Sequence, residues 1–372
     1  MMDLYEIDRK ISEIGREVDF YSHLTPLNQK EEREKFFAAI REDRSYDPVF
    51  RYKDSRIKNE KKLLKEISSV VRPDDGIRQL LAKKLDFMIK QFELLEAGDE
   101  HFGNVSAKLY GVPDKECLCV SENILEESKK DGYDFPEETV TPDEMASVLR
   151  KDLEDKKIEW EVVLSEKIVP KITISARDKT VYINSGINYT AEEVMRLKVH
   201  EINVHIYRGA NGAIQPFRIF TEGLAGYDET EEGLAIVLEH MEGCLKVDRR
   251  QEKLYAGRAV CADRCMKGSF YEVFREMCAF FPEYLAYRLT ERGKRGLRDT
   301  SRKGGITKGF HYISGWIKVR KYIEEGGDLS ILYVGKVGLN DVAIVRDLLC
   351  DGVLELPKYL PDRIECERKN TG

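Results

Sequence analysis

Within His200-Glu201-Ile202-Asn203-Val204-His205, two imidazoles bracket a carboxylate, and a second acidic segment follows at Thr230-Glu231-Glu232-Gly233-Leu234-Ala235. Two histidines and a distant carboxylate are a ligand set for a catalytic zinc, and a glutamate beside the first histidine stands where a general base would stand. The spacing is one residue longer than the common HExxH. At about 100° per residue, an i,i+4 pair diverges by only ~40°, whereas an i,i+5 pair diverges by ~140°. Two rings that far apart on a regular α-helix could not share an ion. One wide turn of the π type would return them to one face, and such bulges recur at functional sites. A π-bulge between His200 and His205 is the structural expectation.

The surrounding residues describe the elements that must hold these groups. Thr190 reads as an N-cap, with Glu193 completing a capping box. Val194, Leu197, Val199, Ile202 and Ile206 form an apolar stripe, and Gly209 is the expected C-cap. A helix over 191–208 with one buried side follows. In the acidic segment, Asp228 or Thr230 as N-cap would put Glu232 in a first helical turn. Gly233 inside that helix costs about 1 kcal/mol against alanine, which is tolerable where another backbone or a metal site must come close. Upstream, residues 171–175 and 180–184 read as strands around the turn 176–179, a hairpin.

The paired motifs HEIxxH and EEGLA resemble those of the microtubule-associated tyrosine carboxypeptidases and their prokaryotic relatives. The resemblance extends to Arg208, Asn211-Gly212, Gln215-Pro216 and Gly226-Tyr227. It continues in Thr307-Lys308, Tyr312 and Gly315, and in Tyr333-Val334-Gly335-Lys336. It implies one Zn2+ per chain, held by His200, His205 and Glu232, with Glu201 as the catalytic base. Glu222-Gly223-Leu224-Ala225 also spells EGLA, but Gly226-Tyr227 and the double-acidic helix start favour Glu232 as the ligand. The chain departs from the family pattern at Asn203-Val204, at Glu231 where glutamine is common, and at Gly309 where an acidic residue is usual.

A carboxypeptidase also needs a cation for the substrate's free carboxylate. Lys308 is the first choice because it matches the family motif, and Arg298 is the second. His311 and Tyr312 are candidate donors to the oxyanion.

At 372 residues, one or two domains are expected. Charged residues make up 35% of the chain, yet the net charge is only −7, which argues against a general nucleic-acid binder. Asp3, Glu6, Asp8, Arg9 and Lys10 interrupt any leader-like start, and no apolar run approaches the ~20 residues of a membrane span. The eight cysteines show no zinc-ribbon spacing, and without a visible secretory signal reduced thiols in the cytoplasm are the expectation. Leu4, Ile7, Ile11, Ile14 and Val18 form an amphipathic stripe, and further helices are expected around 29–41, 58–71, 76–97 and 142–155. Pro113, Pro136 and Pro142 are expected to punctuate loops.

The combined expectation is an α+β fold, mostly helical, with a small antiparallel sheet beside a zinc-binding helix, as in gluzincins. A helical region 1–157 would pack on a catalytic region 158–372. The reaction expected is zinc-dependent removal of a C-terminal residue, tyrosine or another aromatic, from a peptide or protein. The rival is a non-catalytic metal-binding regulatory or partner-binding protein that keeps the fold.

Overall fold

The stripe that begins at Leu4 folds as the helix Leu4–Glu17, burying Ile7, Ile11 and Ile14. The other four expected helices follow as Gln29–Arg41, Lys58–Val70, Gly76–Glu96 and Pro142–Asp155. The computed structural model describes residues 3–54, 57–129, 137–168, 170–247 and 249–371. Of the three prolines, Pro113 lies in a loop and Pro136 falls outside the described residues. Pro142 instead opens a helix, behind the capping box of Thr141 and Glu144. Proline suits that first position, because its missing N–H is one the helix would leave unpaired.

The expected hairpin is present. Strands β2 (Ile172–Ser175) and β3 (Thr180–Asn184) pair antiparallel, with Ile174 opposite Val181. An additional strand, β1 (Glu161–Ser165), pairs with β3 in parallel, giving the order β1-β3-β2. The sheet is therefore mixed, and the all-antiparallel expectation is corrected by this one edge strand. Only Val162 of β1 is fully buried, so its apolar signal in the sequence is short.

Val181 and Ile183 share one core cluster with Val199, Ile202 and Ile206 of the histidine helix. That cluster runs from Ile7 to Ile364 and so joins residues from both halves of the chain. A second, aromatic cluster joins Phe36 and Phe50 to Phe270, Phe274 and Tyr287. It ties the helix Gln29–Arg41 to the helices Phe270–Met277 and Glu283–Lys294. Among the described residues, no helix is long and apolar enough to cross a membrane.

The histidine helix starts at the expected capping box. The Thr190 hydroxyl accepts from the Glu193 N–H at 3.2 Å, and the Thr190 N–H donates to the Glu193 carboxylate at 3.1 Å. One α-turn region, Ala191–Leu197, leads into a π-helix over Lys198–Ile206, which returns to α geometry at Tyr207–Gly212. The wide turn is where the i,i+5 spacing requires it, although it extends over more residues than a single bulge. Gly209 does not cap the helix. It is buried within it, where an added Cβ would lie 3.0 Å from Ala176 and 3.1 Å from Trp160. This glycine serves sheet-to-helix packing.

The carboxylate helix, Tyr227–Met241, starts earlier than expected. Gly226 adopts the left-handed conformation, φ 71°, immediately before it. Glu232 accordingly sits in the second turn, and Asp228 and Glu229 occupy the first. The cost of Gly233 is explained by the helix His311–Glu324, which crosses there. A Cβ on Gly233 would lie 2.1 Å from the carbonyl carbon of Gly315, and one on Gly315 would lie 1.9 Å from the Glu229 oxygen. Neither obstacle is a flexible side chain, so the helices would have to separate. Gly233→Ala is expected to lower stability by about 3 kcal/mol or more, the upper range for overpacking a core. A denaturant midpoint indistinguishable from the parent's would contradict this close crossing.

Candidate metal centre

The π-helix brings the His200 and His205 rings to a centroid separation of 4.9 Å. The carboxylate helix lies against it and supplies Glu232, whose Oε2 is 3.6 Å from His200 Nε2. One ligand atom from each of His200, His205 and Glu232 lies within 4.8 Å of the other two. The other EGLA glutamate is elsewhere: Glu222 accepts from Ser12 at 2.6 Å and from Arg177 at 3.1 Å.

Each histidine is held from behind by a carboxylate on the same acidic helix. His200 Nδ1 lies 2.9 Å from Glu239 Oε1, and His205 Nδ1 lies 3.2 Å from Glu231 Oε2. Both rings thus direct Nε2 inward, the arrangement that fixes tautomer and orientation in metal-binding histidines. Glu239 is itself fully buried and accepts from the Tyr255 hydroxyl at 3.1 Å and from Arg196 at 3.2 Å. Glu231 faces Arg208 and Lys336, each at 3.4 Å. Arg208 in turn donates to the Leu332 carbonyl at 3.0 Å. These supports explain why Arg208 and the segment 333–336 accompany the histidine motif in the sequence.

The electrostatics favour ionised carboxylates. Burial would raise the Glu232 carboxyl, but the close approach of the His200 ring, at 3.6 Å, and the charge of His205 outweigh it and bring the pKa down to about 2. Burial opposes charge on His200 as well, yet the nearby Glu232 carboxylate and the hydrogen bond to Glu239 hold its pKa well above the ordinary histidine value.

The residues fit a zinc ion on two grounds. The donor set is two nitrogens and one oxygen, as in three-ligand catalytic zinc sites. In addition, Glu232 Oε2 is buried without a hydrogen-bond partner, a group that must otherwise bear its full desolvation cost. Glu201 follows His200 on the π-helix, is half-buried, and its charge acts on the His200 ring. Removing the support behind His200 gives a direct check. Glu239→Gln is expected to weaken zinc binding by about 10–100-fold, as for other outer carboxylates. Competition with a chromophoric chelator would measure it, and unchanged affinity would mean Glu239 only fills space.

A cavity of about 200 Å³ opens beside Glu232, with Lys308, His311 and Tyr312 among its lining residues. Lys308 reaches the site, but its ammonium is paired with Asp228 at 2.7 Å and bonded to the Tyr21 hydroxyl. His311 Nε2 lies 3.1 Å from the Tyr110 carbonyl oxygen, while its Nδ1 is buried and unpartnered. Tyr312 stacks on Tyr255 with centroids 4.9 Å apart. Arg298 does not line the cavity. It is exposed, and its backbone N–H donates to Asp99 at 3.0 Å.

Three arginines line the same cavity without having been singled out in the sequence: Arg258, Arg292 and Arg295. They stand on or just beyond helices Arg249–Cys265 and Glu283–Lys294, whose sequences carry no motif around them. Glu231 and Glu239 as carboxylate supports were also missed. The i,i+7 spacing of Glu232 and Glu239 on one helix was the available signal.

A family profile described as microtubule-associated tyrosine carboxypeptidase matches residues 34–371. Microtubule-associated tyrosine carboxypeptidase 1 of Mus musculus is 25% identical over 356 residues, 91% of this chain and 64% of its own length. The Homo sapiens protein of that name is 24% identical over 355 residues, with the same coverage. Putative tyrosine carboxypeptidase MATCAP2 of Homo sapiens is 26% identical over 188 residues, 49% of this chain and 35% of its own. The chain thus spans just under two thirds of the first of these relatives.

Proposed function

This chain belongs to the microtubule-associated tyrosine carboxypeptidase family, and we propose that it is a zinc-dependent metallo-carboxypeptidase. Its substrate is the C-terminus of a peptide or protein, and the names of its relatives make tyrosine the first residue to test. The observation that carries the reading is the convergence of His200, His205 and Glu232, each histidine backed by its own carboxylate.

Zinc in that ligand set would lower the pKa of a bound water to about 7 and polarise the scissile carbonyl. Glu239 and Glu231 hold the His200 and His205 rings by Nδ1, which leaves each Nε2 turned toward the position of the ion. Glu201 Oε accepts the proton of the attacking water and hands it to the leaving amine. Of the two donors expected from the sequence, the Tyr312 hydroxyl at the cavity wall can serve a developing oxyanion, whereas the His311 ring commits its N–H to the Tyr110 carbonyl and leaves Nδ1 an acceptor. The carbon–nitrogen bond to the last residue breaks, releasing a free amino acid and a shortened chain.

The test uses purified full-length protein, assayed for zinc by plasma mass spectrometry and for activity on tyrosine-ended peptides. Free tyrosine released with zinc present and suppressed by a chelator is the expected result. Stoichiometric zinc with no release from any C-terminal peptide would overturn the peptidase reading and favour a binding role.

A further inference from the structure

The cavity beside Glu232 gathers more positive charge than that one carboxylate can offset. Arg258, Arg292 and Arg295 all line it. Among the described residues, no carboxylate lies within ion-pair distance of Arg258 or Arg292, and Arg295 Nε is buried without a partner. Lys308, by contrast, already has Asp228. Burial lowers the Arg292 and Arg295 pKa values, and like charge adds to it, Arg258 acting on Arg292 and Arg292 on Arg295, against an opposing pull from Glu232 and Glu291. Clustered like charges raise the energy of the site unless an anion enters it.

The cluster is also rigidly built. Arg258 lies over the Tyr312 ring at 4.4 Å and the Tyr255 ring at 5.5 Å. Tyr255 is the residue whose hydroxyl supports Glu239, so Arg258 is keyed to the metal centre. Arg292 rides on a helix that meets its neighbour at Gly293, where an added Cβ would lie 2.6 Å from Cys265 Sγ. Lys294, the next residue, ties that helix end to the carbonyls of Gly268 and Arg302, both at 2.6 Å. Arg292 is nonetheless reached by solvent, and Leu289 and Ile306 give the same cavity an apolar wall.

We propose that Arg292 and Arg258 form the subsite for the free α-carboxylate of the substrate's last residue, while Lys308 holds the cavity wall through Asp228. This rests on the peptidase reading above and adds what sets its direction. A planar guanidinium takes a carboxylate through two parallel N–H donors, which a single ammonium cannot reproduce. The terminal side chain then lies along the Leu289 and Ile306 wall, and the scissile carbonyl faces Glu201 and the ligand set.

The test measures binding, so it does not depend on turnover. Zinc-loaded Glu201→Gln protein is titrated by calorimetry with Ala-Ala-Tyr and with its C-terminal amide, neither carrying an acidic side chain. The free acid is expected to bind about 100-fold tighter, the scale of a desolvated charge pair. Adding Arg292→Gln or Arg258→Gln should reduce that preference at least tenfold, with zinc content and the circular dichroism spectrum unchanged. Equal binding of acid and amide to the parent, or a preference that survives both substitutions, would overturn the subsite. An arginine-dependent acid preference in a protein that releases no C-terminal residue would uphold the subsite and sink the peptidase reading. Release of terminal residues with a preference indifferent to both arginines would do the reverse.

Discussion

Glu201→Gln is expected to keep one zinc per chain while peptide hydrolysis falls by about 10³-fold, within the range for losing a positioned general base. The amide preserves the size of the side chain, so the half-buried position on the π-helix is not disturbed. It cannot take a proton from the attacking water. Glu201 is not among the three converging ligands, and both histidine Nδ1 atoms are held by other carboxylates. Metal content and hydrolysis should therefore separate cleanly. Joint measurement of bound zinc and kcat/KM decides it: retained zinc with undiminished hydrolysis would remove Glu201 from the mechanism.

Glu232→Ala and His205→Ala are expected to do the opposite and lose the metal. Each substitution leaves two ligands of three, and the remaining pair no longer encloses an ion. The substitutions differ in what they leave behind. His205→Ala strands Glu231, though Arg208 and Lys336 still face it at 3.4 Å. Glu232→Ala removes a buried carboxylate whose Oε2 has no hydrogen-bond partner, and it takes away the negative charge 3.6 Å from His200 Nε2. Zinc below about a tenth of an equivalent is expected in both variants after dialysis, since a site's affinity depends on its ligand number. A variant that still binds stoichiometrically would show that the ion sits elsewhere. The thermal midpoint of the parent should rise on adding zinc, because a ligand for the native state stabilises it, and neither variant should respond.

Much of this centre was legible along the chain. The capping box at Thr190 and Glu193, the apolar stripe and the HExxxH spacing together required a helix with a wide turn, and the π-helix Lys198–Ile206 supplies it. The cost of Gly233 pointed to a close approach by another backbone or a metal site, and the neighbour is the backbone of Gly315. Both inferences rest on local rules: periodicity, caps and the price of a glycine. The same rules misplaced boundaries. Gly209 reads as a C-cap but is a packing contact, and the carboxylate helix begins at Tyr227 because left-handed Gly226 turns the chain there. Strand β1 escaped notice because a single buried valine leaves almost no alternation to see.

Lys308 was chosen on its motif, and chain order gave no means of knowing that Asp228 would neutralise it. Arg258 and Arg292 stand in no motif and were passed over. Their excess of charge exists only because two helices meet at Gly293 and face the cavity together. The residues that can ligate a metal, and the turn that lets them, follow from spacing on one helix and the family resemblance. Which cations remain unpaired beside them depends on partners tens to hundreds of residues away, a matter of packing that no local pattern encodes.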